Sequence, residues 1–89
     1  MTSFGLRLRE LREGKGLSRA ALAARCSTPG VGAGSIKFWE TEFASRVPSL
    51  DQFFALCLAL SLTDAEILEL LRLAAARDSA RRSRCEVAA

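Results

Sequence analysis

Apolar residues recur along this chain at helical spacing, and nowhere with the alternation of a strand. Phe4, Leu8 and Leu11 fall at i, i+4 and i+7, one stripe of a helix predicted from about Ser3 to Lys15. Leu6 lies off that stripe, at a partly exposed position. Gly14 and Gly16 close the helix, and Leu17 leads into Ser18, a good N-cap for a second helix from Arg19 to about Arg25. The second helix buries Leu22 and Ala23 with Ala20 or Ala21, small side chains that let a neighbour approach closely.

Pro29 and the glycines of STPGVGAG break the period. A third helix is predicted to begin near Gly34 or Ser35 and end near Phe43. Ile36, Trp39, Glu40 and Phe43 share one side of it, while Lys37 and Phe38 point elsewhere. After ASRVP, the stretch SLDQ is a capping box, with Ser49 as cap and Gln52 reaching back. The fourth helix, to about Leu60, is apolar enough to be central, through Phe53, Phe54, Leu56, Cys57 and Leu60. TDAE repeats the box with Thr63 and Glu66, opening a fifth helix from Asp64 to roughly Arg77. Ile67, Leu68, Leu70, Leu71 and Leu73 spread too far around it for one core face, so some of them need a partner surface. DSARRSRCEVAA is a polar tail, frayed or continuing that helix. The fold class is all-α: a domain over residues 1–76 and a basic tail over 77–89.

Charge changes the picture more than composition does. Residues 1–46 hold eight basic side chains against four acidic ones, residues 47–76 reverse the balance, and the tail supplies four further arginines. A basic front half on an acidic back half suits an anionic partner. The three cysteines lack CxxC spacing and there is no histidine, so neither a zinc site nor a histidine-based catalytic centre has its usual ligands. GVGAG superficially resembles a dinucleotide-binding loop, but it follows a helix instead of a strand. No cofactor and no enzymatic activity are expected. The charged N-terminus lacks an apolar signal core, and no apolar run is long enough to span a bilayer, so a cytoplasmic location is expected.

A brief second and third helix joined by a glycine-containing turn form a helix-turn-helix arrangement. FGLRLRELREGKGLSRAALA then resembles the opening of Cro/C1-type (XRE) helix-turn-helix repressors, through Phe4, Gly5, Leu8, Arg9, Leu11, Arg12, Gly16, Leu17, Ser18, Leu22 and Ala23. Gly30 and Val31 look like the family's Gly-Val turn, with Ile36 and Glu40 at the expected spacing after it. Pro48, Ser49, Leu50, Phe53, Leu56, Ala59 and Leu60 match the fourth helix. CSTP and FASRV are short insertions on either side of the third helix.

This resemblance implies a five-helix, lambda-repressor-like DNA-binding domain, acting as a homodimeric repressor on double-stranded DNA with the third helix in the major groove. By position, Gly32, Ala33, Gly34, Ser35, Lys37 and Phe38 face bases. Ser18, Arg19 and Arg46 face phosphates. Arg12 pairs with Glu40 as a structural bridge, and Leu70 and Leu73 supply the dimer surface. Base reading normally uses forked donors and acceptors such as Arg, Asn or Gln, whereas this segment offers only Ser35 and Lys37 as polar side chains. An alternative therefore stands beside the regulator: a protein-interaction module on the same scaffold, antitoxin-like or regulator-binding, with a protein partner and little sequence reading.

Overall fold

The computed structural model describes residues 3–26, 28, 30–41 and 47–88, with side chains as far as residue 76. Its five helices are α1 (Phe4–Gly14), α2 (Arg19–Arg25), α3 (Ala33–Glu40), α4 (Leu50–Leu60) and α5 (Asp64–Ala88), and no strand occurs among the described residues. α3 packs against both α1 and α2; α1 also meets α5, and α2 meets α4.

Side-chain caps set several of the helix starts. The Ser3 hydroxyl accepts from Leu6 N, and the Ser18 hydroxyl accepts from Ala21 N at 3.0 Å. Ser49 and Gln52 form the full reciprocal box, and Glu66 accepts from Thr63 N at 2.9 Å. Each such bond satisfies an amide that the first helical turn leaves orphaned.

Phe4, Leu8, Leu11, Leu22, Val31, Ile36, Trp39, Phe53, Leu56, Cys57, Leu60 and Leu70 form one buried cluster. Three expectations are corrected. Phe54, grouped with the central apolar residues, is half exposed, because the inward face of α4 is filled by Phe53, Leu56, Cys57 and Leu60. α5 runs past the expected bound near Arg77 to Ala88, so of the two readings left open for the tail, frayed or helical, the helical continuation is the one observed. Leu70, expected on a dimer surface, is 1% exposed and belongs to the core, while Leu73 is half-buried against it. The outward leucines of α5 are Leu68 and Leu71.

α3 begins at Ala33 and stops at Glu40, with Thr41 as its extended C-cap. The expected end near Phe43 lies outside the described residues. Gly5 sets how closely α1 and α3 approach: a Cβ there would lie 2.7 Å from the Trp39 carbonyl oxygen and 2.8 Å from that of Glu40. Gly30, at φ +87°, makes the turn ahead of α3 in a conformation that side chains resist. Val31 follows it into the core.

Candidate nucleic-acid interface

Glu40 is a carboxylate at the end of α3 with a side chain only 1% exposed. Both oxygens are occupied. Arg12 donates from Nε to Oε2 at 2.7 Å and from Nη2 to Oε1 at 3.2 Å; Arg19 donates from Nε to Oε1 at 3.0 Å. Arg12 uses its remaining fork, Nη1, on the Leu17 carbonyl at 2.7 Å. A buried carboxylate is tolerable only when paired and fully hydrogen-bonded. One side chain thus ties α1, the start of α2 and the end of α3 into a rigid corner.

That corner fixes which side of α3 faces outward. Ile36, Trp39 and Glu40 turn inward, while Gly32, Ala33, Gly34, Lys37 and Phe38 are exposed. Phe38 is 48% exposed and borders a hollow with Trp39, Val47 and Gln52. The Ser35 hydroxyl donates to the Gly30 carbonyl at 2.8 Å and so braces the turn. Gly32, the N-cap of α3, supplies no side-chain cap, and the helix's first cross-turn bond runs from Ile36 N to Gly32 O. Among the described residues no side chain caps the amides of this first turn, which leaves them open to an anion.

A cleft of about 290 Å³ lies beside this face, lined by Leu6, Arg9, Arg19, Lys37, Glu40 and Thr41. Arg9 donates to Glu13 at 2.6 Å; this bond raises the Arg9 pKa and holds the Glu13 carboxyl below its ordinary range. The Nε of Arg19 is committed to Glu40, and its side chain remains 37% exposed. Lys37 forms no ion pair among the described residues. Three cations consequently surround one outward cleft, with Glu40 at its wall.

Of the residues singled out from sequence, Ala33, Gly34, Lys37 and Phe38 lie together on the outer side of α3, and Arg19 flanks it. Ser18 serves as the α2 cap, and Ser35 is engaged by the turn. Arg46 lies outside the described residues. Arg12 and Glu40 meet directly. The contribution of Arg19 to that pair was not readable from spacing. The one clue was that a buried carboxylate has more acceptor sites than a single arginine fills. Leu6 and Thr41, which complete the cleft, carry no sequence signal of such a place.

A model of the helix-turn-helix domain matches residues 3–70. The chain belongs to that family, a DNA-binding class. No curated protein and no solved structure gives a significant match. Among the described residues no cluster of His, Cys, Asp and Glu is suited to hold a metal ion, and no helix is long and apolar enough to cross a membrane.

Proposed function

We propose that this chain is a transcriptional regulator of the Cro/C1 (XRE) kind, a cytoplasmic homodimeric repressor that lays α3 in the major groove of operator DNA. The observation that carries this reading is the outward face of α3, braced from behind by the Arg12–Glu40–Arg19 corner and flanked by exposed cations.

In this arrangement Arg19 contacts a phosphate at the groove edge, Lys37 reaches toward the groove beside Phe38, and the uncapped first turn of α3 offers backbone amides. Gly32 and Gly34 have open space where a Cβ would stand, so they allow the backbone close to a duplex. Phe38 supplies an apolar surface for a thymine methyl. With Ser35 already bonded to Gly30, little side-chain hydrogen bonding remains for base edges, and specificity leans on DNA shape.

The same feature favours the second reading, a protein-interaction module: an exposed Phe38 beside a glycine-rich flank suits an apolar protein partner as well as a groove. Selection from random duplexes, followed by gel shifts at low and moderate salt, separates the two. The regulator reading expects enriched sequences and salt-sensitive binding. Arg19→Ala should reduce the salt slope by about one counterion. Absence of any duplex binding, with a protein copurifying through Phe38, would establish the alternative.

A further inference from the structure

α4 reads LDQFFALCLAL, nine apolar residues in eleven positions and one charge, Asp51. Its inward face is spent on the core by Phe53, Leu56, Cys57 and Leu60. The outward edge is apolar as well: Leu50, Phe54 and Leu58 are 64%, 50% and 79% exposed. A helix that is apolar all round is normally covered on both sides, and at i, i+4, i+8 these residues form a continuous stripe roughly 12 Å long.

The stripe is symmetric in sequence. One leucine stands four residues before Phe54 and another four residues after it. Across a twofold axis residue i meets j and j meets i, so an apolar stripe centred on Phe54 would meet its own copy with apolar groups along its whole length. An antiparallel crossing centred on Phe54 brings Leu50 against Leu58 of the partner subunit and lays the two Phe54 rings together. The Phe54 ring is already braced edge-on by core Phe53, with centroids 6.3 Å apart and planes at 64°. An anchor held in place before association loses little freedom on binding. The outward leucines of α5 lack these properties: Glu69 and Arg72 interrupt Leu68 and Leu71, and Glu69 already receives Arg7 at 2.8 Å.

We propose that the Leu50–Phe54–Leu58 edge of α4 is the twofold interface between two copies of this chain. The exposed part of these side chains amounts to on the order of 400 Å² per protomer, about half of what a standard stable interface buries. The dimer is therefore weak in free solution. It tightens on DNA, a step that rests on the regulator reading, because binding to adjacent half-sites raises the effective concentration of one copy near the other.

Sedimentation equilibrium of the full chain without DNA, from micromolar to millimolar concentration, tests the interface independently of any DNA binding. The wild type should move from 9.6 kDa toward twice that mass. Leu58→Glu should remain monomeric throughout with unchanged helical circular dichroism, while Leu68→Glu behaves as the wild type. Phe54→Cys, in a Cys26→Ser, Cys85→Ser background, should cross-link to its own copy under mild oxidant, as a residue on the twofold axis must. A wild type that stays monomeric at every concentration overturns the proposal. So does association that survives Leu58→Glu or is lost with Leu68→Glu alone.

Discussion

Arg12 and Glu40 meet across twenty-eight residues of chain, Nε to Oε2 at 2.7 Å, with both side chains buried. Removing one partner leaves the other as an unpaired buried charge, the costly case. Glu40→Ala should lower the unfolding free energy by about 3–5 kcal/mol. Arg19→Ala, at the solvent edge of the same carboxylate, should cost at most about 1 kcal/mol. Urea titration followed by circular dichroism ranks the two; equal losses would contradict a corner organised around Arg12.

Two glycines should respond in opposite directions. Gly5→Ala drives a methyl into the carbonyls of Trp39 and Glu40, and overpacking of this kind costs about 1–3 kcal/mol. Nothing lies within 4 Å of a Cβ at Gly34, so Gly34→Ala should raise stability by about 0.5–1 kcal/mol through helix propensity. The same Gly34→Ala change should weaken duplex binding, because it obstructs backbone approach. Thermal midpoints and a binding titration on the same samples check both halves.

Much of the scaffold was legible because it depends on local rules. Ser18, Ser49 and Thr63 announce helix starts through hydroxyls that reach only three residues ahead, and Phe4–Leu8–Leu11 declares its own buried face. What spacing leaves open is competition between helices for the interior. Leu70 and Leu71 are equivalent by composition, yet one fills the core and the other faces solvent. Phe53 and Phe54 divide in the same way. The bond from Arg19 to Glu40 depends on how α2 sits on α3, and no periodicity encodes that. The α5 continuation past Arg77 was open for a different reason, since a polar helical stretch and a frayed one share one composition.

Burial pushes the Cys57 thiol up to about 11 from an ordinary 9.0. A raised folded pKa leaves stability untouched below the unfolded value and removes it as pH climbs from about 9 toward about 11. At neutral pH the thiol is protonated and enclosed. Peptide mapping after alkylation near pH 8 should find Cys57 modified only in denaturant, and rapid labelling of the native chain would contradict its burial.

The Glu66 carboxyl is held below its ordinary range, chiefly because it accepts the Thr63 amide at the start of α5. A depressed folded pKa contributes stability above the unfolded value, and that contribution is lost as pH falls through the folded one. Glu66→Gln keeps an acceptor but no titratable charge, so its acid unfolding curve should be flatter than that of the wild type. Identical acid limbs in the two proteins would remove Glu66 from the account.

The outward face of α3 is most directly tested by amide chemical-shift mapping of the labelled chain against a selected duplex. Shifts are expected to concentrate at Arg19 and from Gly32 to Phe38, with Leu8, Leu56 and Leu60 of the core nearly unmoved. Perturbations centred elsewhere, with residues 32–38 silent at saturating duplex, would contradict the assignment of this face to DNA.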